Sequence, residues 1–394
     1  MRVPEEFTTR SVDANSQDVD APYKEFLTSG EPYASILKNN PWIRLPAAGA
    51  DLEWDKGWYY DTTVGRKHPY WKDKGLPAAT KDIHQLRRDF LKWGYCLIED
   101  GTSPEQCSRL LERVSEQGAA ERALGIAYEQ PAQQHIWALV NKGEQFVQCM
   151  DHDPKAVQAG PLIARLLSEF IGKDWNHFSF ISNVCHPGCH PQFLHQDQSF
   201  IAPYQTDDAP VLVNTVYILQ DVNEENGGTL LIPGSHRPNG EGGEIYGALP
   251  RAINLEAKAG SILMMDGRVL HGGAVNRTDV SRYIITNSVV KPWVRQQENF
   301  LFTVSPEVLA TASANFLMRV GFQATATRNM VEGFGYFGSG RTGDENGSLL
   351  HVRREIDGSG YRHLGVLGKG ASIGSDSSLP KIQKEHETLR RKSE

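Results

Sequence analysis

The sequence predicts a mainly β protein, an antiparallel sandwich or barrel entered through helices, and three observations carry that prediction. Segments 177–185, 211–220, 228–232, 261–266 and 282–290 are rich in Val, Ile, Thr and Tyr and are punctuated by Gly, Pro, Asn and Asp. No helical pattern intervenes between them, which argues against a parallel sheet. Upstream, apolar residues recur at helical spacing in three stretches between 80 and 172.

Residues 1–30 are polar and mixed in charge and are expected to be partly disordered. Residues 31–75 hold Trp42, Trp54, Trp58 and Trp71 with Tyr33, Tyr59, Tyr60 and Tyr70. Rings at that density seek burial, so residues 1–79 read as an aromatic-rich arm packed on the main body. Ile83, Leu86, Phe90, Leu91 and Trp93 form a first helix, stopped by Gly94. Tyr95–Ile98 reads as a short strand. Ser103-Pro104-Glu105-Gln106 is a capping box with proline at the first helical position. The helix it opens carries Leu110, Leu111 and Val114 and is expected to stop near Gly118. Leu162, Ile163, Leu166, Leu167, Phe170 and Ile171 form a third apolar face, closed by Gly172. One catalytic domain over 80–300 follows from this order, with a C-terminal extension at 301–370 and a frayed tail at 371–394.

Composition narrows the function. The 394 residues carry a net charge of −7, which disfavours a general nucleic-acid surface. No apolar run approaches the length of a transmembrane helix, and the first residues lack the apolar region of a secretory signal. Five cysteines in so long a chain do not make a disulfide framework, so the expected compartment is the reducing cytoplasm. The expected partner is a small-molecule substrate, with no nucleic acid or membrane; a homodimer is compatible with the chain.

The chemistry sits in Pro191-Gln-Phe-Leu-His195-Gln196-Asp197-Gln198. His195 and Asp197 are two apart, so at a strand end both side chains point to one side. A third ligand must come from elsewhere. His271, after the strand at 261–266 and before two glycines, is the best candidate, and His236 is its competitor. Two histidines and one carboxylate on one face of an octahedral ion form the facial triad of non-haem Fe(II) oxygenases, which leaves three positions open. Arg282 lies eleven residues beyond His271, at the start of a strand, where a guanidinium can grip a carboxylate through two parallel bonds. Arg277, on the preceding loop, is held less rigidly. A lone His-x-Asp is common by chance, and a bland salt bridge is the competing reading of Arg282.

Gln192-Phe-Leu-His195-Gln-Asp197-Gln, then Glu225-Asn-Gly-Gly-Thr229-Leu-Leu-Ile-Pro233-Gly-Ser-His236, then His271-Gly-Gly and Arg282 together resemble the phytanoyl-CoA dioxygenase family. The resemblance spans about residues 80–292. It implies a double-stranded β-helix (a jelly-roll, cupin-like core) buttressed by N-terminal helices, and an Fe(II)- and 2-oxoglutarate-dependent oxygenase. It implies that His195, Asp197 and His271 bind Fe(II) and that Arg282 binds the far carboxylate of 2-oxoglutarate, with Gln192 and Thr229 helping to hold that co-substrate. O₂ is the second co-substrate, and succinate and CO₂ are the products. The expected reaction is oxidation of an unactivated C–H bond of a small metabolite, hydroxylation by default, in specialised metabolism. Halogenating relatives have a small residue in place of the acid, so Asp197 argues against halogenation.

Other features have bland readings. Cys185-His186-Pro-Gly-Cys189-His190 looks like a zinc cluster, but no second ligand pair stands nearby, and a turn between strands is the preferred reading. Asp221 is read as a turn cap. Asp266 and Arg268 are balanced between orienting the ligands and forming a surface salt bridge. His135 and Trp137 are the weak substrate-site candidates. Met330–Phe337 is read as core packing in preference to a lid. The rival functions are an iron oxidase or cupin-type enzyme that does not use 2-oxoglutarate, against which Arg282 argues, and a non-catalytic jelly-roll binding protein, against which the intact triad argues.

Overall fold

The computed structural model describes residues 71–322, apart from 131, 132, 188, 190, 191, 193, 194, 201–208, 238–251 and 275. Most of the aromatic arm, the extension beyond 322, the glycine-rich stretch at 330–337 and the tail lie outside the described residues.

The first helix, α1 (Ile83–Trp93), is capped by Asp82, which accepts from the His84 amide. It ends at Gly94, whose φ of 78° lies in the left-handed region. A side chain there would also meet Val269 and His236, so Gly94 serves both as helix stop and as a point of close approach. Strand β1 (Tyr95–Ile98) follows at once. The capping box opens α2 (Pro104–Ala123), with Ser103 and Gln106 bonding each other's amides.

Helix α2 does not stop near Gly118. It runs one further turn to Ala123. Gly118 lies inside it because its bare surface lets Ile136 and Gln134 approach, and its carbonyl accepts from Gln134 Nε2 at 3.0 Å. The hairpin β2 (Tyr128–Gln130) and β3 (Gln133–Ile136) had no clear sequence signal. Two helices, α3 (Glu144–Met150) and α4 (Gly160–Phe170), precede the main strands.

The strands β4 (Asn176–Cys185), β5 (Leu212–Ile218), β6 (Thr229–Leu231), β7 (Ile253–Asn254), β8 (Ile262–Asp266), β9 (His271–Gly273) and β10 (Arg282–Val290) complete two antiparallel sheets. One sheet has seven strands in the order β1-β8-β5-β10-β4-β3-β2; the other has three, β7-β6-β9. Three short helices follow: α5 (Phe300–Thr303), α6 (Pro306–Thr311) and α7 (Ala314–Leu317).

Alternation along the strands divides the large sheet into two faces. Cys96, Ile98, Val213, Tyr217, Ile262 and Met264 pack with the helices through Leu86, Phe90, Leu110, Val114 and Leu166. Phe90 of α1 stacks on Phe170 of α4 at 3.8 Å. The intervening residues Leu97, Val216, Ile218, Leu263 and Met265 share a second apolar cluster with Leu231 and Ile253 of the small sheet. One face therefore binds helices and the other binds a second sheet, and the candidate site lies on that second side. Trp71, the described end of the aromatic arm, is buried there and meets Trp93 edge-on at 6.4 Å.

Cys185 and Cys189 are joined as a disulfide, which the sequence reading did not expect. Cys185 ends β4, and Cys189 lies in the turn that follows; both are buried. His186 bonds Ser281 Oγ and Gln134 Oε1 through its two ring nitrogens. The cluster is thus a fastening of the turn, in line with the structural reading of that motif.

Candidate metal and co-substrate site

Gln192 and His195 both bond to the backbone of β9. His195 and His271 exchange backbone hydrogen bonds of 2.8 and 3.0 Å. Three residues earlier, the Gln192 amide bonds the Gly273 carbonyl at 2.8 Å, and Gln192 Oε1 accepts from the Gly273 amide at 2.9 Å. The first histidine is therefore registered against the second by the backbone. His271 does not merely follow a strand; it begins the short strand β9.

One donor atom from each of His195, Asp197 and His271 lies within 4.8 Å of the other two, and among the described residues this is the one such group. Asp197 stands between the imidazoles, 3.3 Å from His195 Nε2 and 3.4 Å from His271 Nε2. Burial opposes its ionisation, but the neighbouring His271 and His195 outweigh burial and hold the carboxyl well below the usual range. Against its own burial, Asp197 also raises His271. His271 Nδ1 bonds the Val269 carbonyl at 2.9 Å, so the ring turns Nε2 toward the cluster. Asn214 of β5 donates to Asp197 Oδ2 at 2.6 Å and accepts from Ser288 Oγ at 2.7 Å. Two imidazole nitrogens and a carboxylate oxygen, with His271 and Asp197 each oriented by an outer partner, suit a first-row divalent metal.

Arg282 is 2% exposed at the start of β10. One terminal nitrogen donates to the Gly227 carbonyl at 2.9 Å. Its Nε has no partner, and no carboxylate pairs with it among the described residues. Burial alone pulls its pKa down to about 10. A salt bridge is therefore not what holds it. Gly227, with φ 79°, brings its backbone against Cys185 and Ala274, where a side chain would collide. This accounts for the first glycine of the Asn-Gly-Gly-Thr run.

The remaining candidates sort clearly. Thr229 starts β6 and faces Gly273 across the small sheet. His236 bonds the Leu91 carbonyl at 3.2 Å in the turn against α1, and stands outside the metal group. Arg277 is occupied by the Glu224 carbonyl. Asp221 ties its loop together through the Ala259 amide and Lys258. Asp266 and Arg268 do not form a surface salt bridge. They are a buried fork, Nε and a terminal nitrogen on the two carboxylate oxygens at 2.9 and 2.7 Å. The Arg268 carbonyl accepts from Gln196, the residue between two of the candidate ligands. Asn214 and Ser288 were missed by the sequence reading; the available signal was an asparagine inside the apolar run Val211-Leu-Val-Asn-Thr-Val-Tyr-Ile218.

The chain thus combines two antiparallel sheets, a His-Asp-His donor group and a buried arginine that pairs with no carboxylate among the described residues. Residues 90–284 match the family model described as phytanoyl-CoA dioxygenase (PhyH), and the chain belongs to that family as an Fe(II)- and 2-oxoglutarate-dependent dioxygenase. Its cofactor is Fe(II), with 2-oxoglutarate and O₂ as co-substrates. The chain is similar to "Dioxygenase af480" of Aspergillus fumigatus, 28% identical over 59% of this chain and 75% of that protein. It is also similar to "Fe(II)/2-oxoglutarate-dependent dioxygenase nvfF" of Aspergillus novofumigatus, 27% identical over 52% and 69% of the two chains. Among solved structures, the non-haem α-ketoglutarate-dependent carbocyclase SnoK from nogalamycin biosynthesis aligns at 17% identity with a TM-score of 0.43, over 55% of this chain and 88% of that one. No helix among the described residues is long and apolar enough to cross a membrane.

Proposed function

We propose that His195, Asp197 and His271 hold the Fe(II) and that Arg282 anchors the distal carboxylate of 2-oxoglutarate, for oxidation of a C–H bond in a small-molecule metabolite. The two sheets are read as the double-stranded β-helix of such enzymes, buttressed on the outer face by α1 and α2. The observation that carries the co-substrate role is the buried Arg282 guanidinium with an unpartnered Nε and no carboxylate beside it. A buried cation of that kind calls for an anion.

Bound Fe(II), with 2-oxoglutarate and O₂, supplies the oxidation, releasing succinate and CO₂. The chain's own part is positioning. His271 is fixed by Val269, Asp197 by Asn214, and His195 by its backbone pairing with β9. Gln192 supports β9 at Gly273, and Thr229 lies on the neighbouring strand, where both help to shape the co-substrate pocket. Specialised metabolism is the expected setting of the reaction.

The test is substrate-free turnover: purified protein with Fe(II), ascorbate and 2-oxoglutarate should form succinate above a protein-free control. Bound iron with neither succinate formation nor 2-oxoglutarate binding would replace this reading with an iron oxidase.

A further inference from the structure

We infer that the β2–β3 hairpin and Asn183 of β4 form the substrate subsite, and that it takes a neutral, ring-bearing molecule carrying a hydroxyl or carbonyl group. This rests on the proposed function above and names its substrate class.

Three rings meet on the hairpin. Tyr128 and His135 lie 5.9 Å apart at 25°, and Trp137 stands edge-on to both, at 5.9 and 6.0 Å. Tyr128 is 45% exposed, so the cluster is open on one side. His135 pairs with Asn183, and Asn183 pairs with Ile284, which belongs to the apolar layer between the sheets. Cross-strand partners share a face, so His135 and Asn183 lie on the side that carries Arg282. Gln133, two residues before His135, lies against Gly273 of β9, two residues after His271. The row therefore leads from the candidate metal centre to the aromatic wall.

The polar groups on this row are specific. Asn183 Nδ2 lies 3.2 Å from His135 Nε2. An amide NH₂ only donates, so Nε2 accepts and the neutral imidazole carries its proton on Nδ1. Burial lowers the His135 pKa and keeps it neutral. His135 Nδ1 and Asn183 Oδ1 are shielded from water and have no partner among the described residues. One is a donor and the other an acceptor, and leaving both unmet is costly. A hydroxyl can satisfy either atom, and a carbonyl can satisfy the first. The wall of rings selects a flat apolar body. The cation beside the hairpin, Arg122, is already paired with Glu129 at 2.9 Å, which argues against a phosphate-bearing ligand at this wall.

Ligand-observed NMR titration of the Fe(II)- and 2-oxoglutarate-loaded protein under argon tests this. The probes are 1-tetralol, 1-tetralone and tetralin, the same three states of a steroid skeleton, and palmitoyl-CoA. The oxygenated forms should bind at least about tenfold more tightly than their hydrocarbons, since a site built for a hydroxyl rejects the analogue lacking it. His135→Phe keeps a ring and loses Nδ1, so it should erase the preference while the melting temperature stays near wild type. Asn183→Ala is the second variant, should the first not fold. Equal binding of oxygenated and unsubstituted forms, stronger binding of palmitoyl-CoA, or a preference that survives both substitutions would overturn the inference. Wild-type succinate formation without added substrate is measured alongside. Its absence counts against the 2-oxoglutarate reading, whereas its presence without an alcohol preference counts against the subsite alone.

Discussion

Asn214 donates its side-chain amide to Asp197 Oδ2 at 2.6 Å, from the middle of β5 in the large sheet to the short helical turn at Asp197–Phe200. Ser288 of β10 accepts no role in the metal group itself, but its hydroxyl donates to Asn214 Oδ1 and fixes which way the amide faces. The candidate carboxylate ligand is thus oriented by two strands of the sheet that bears Arg282.

Replacing Asn214 with Val should weaken Fe(II) binding by roughly 10- to 100-fold, the usual cost of losing a group that orients a ligand. Iron affinity measured by competition with a chelator checks this, and wild-type affinity in the variant would remove Asn214 from the ligand-orienting set.

Loss of His195 or His271 should act more directly. Each alanine variant should lose stoichiometric iron and turnover, because the remaining two ligands hold a labile ion poorly. Metal content after desalting is the measurement. Full occupancy in His271→Ala would shift the role to another residue, although His236 is already engaged by the Leu91 carbonyl.

Arg282→Ala should raise the 2-oxoglutarate requirement by about 30-fold or more, since removing one partner of a buried charged pair costs about 2–5 kcal/mol. Arg282→Lys should be intermediate, keeping charge without the fork. Arg277→Ala should change little, as that guanidinium contacts the Glu224 carbonyl. Succinate formation against 2-oxoglutarate concentration, with iron content matched, distinguishes the three.

Acid should destabilise the fold. Burial pushes His152 down to about 3 and His177 and His236 to about 4. Their unfolded values lie near 6.5. The unfolded state therefore binds more protons between those limits, and stability falls as pH drops from about 6.5 toward 4. Three groups titrating together set a ceiling of about 4 kcal/mol per pH unit. Melting temperature across pH 4.5–7.5 reads this out, and a flat profile would contradict it.

Gly94→Ala should cost several kcal/mol, because it adds left-handed strain to a collision with Val269 and His236. Chemical denaturation of the variant gives the value, and a loss below about 1 kcal/mol would show that the neighbours move aside easily.

Elements set by local signals were legible in the sequence. Gly94 ended α1, Ser103 and Gln106 capped α2, and the β-branched runs marked β4, β5, β8 and β10. The candidate ligands were legible because His-x-Asp, the later histidine and the arginine have a recognisable spacing. What depends on tertiary contact was not. Helix α2 continues through Gly118 because Gln134 and Ile136 pack there, and the Tyr128–Gln130 strand exists through its pairing with β3. The Asp266–Arg268 fork and the Asn214 bond are buried by distant segments, which local sequence does not announce.

The reciprocal backbone bonds between His195 and His271 carry a consequence for biosynthesis. Two of the candidate ligands are brought into register by a pairing between distant parts of the chain, and β9 must also find β6. Such long-range closure is slow compared with forming a helix or hairpin. A nascent chain that has completed α1 to β5 therefore has the first two ligands but no place to keep iron. Metal loading becomes a late event, and retention of iron by a newly made molecule reports that its two sheets have closed.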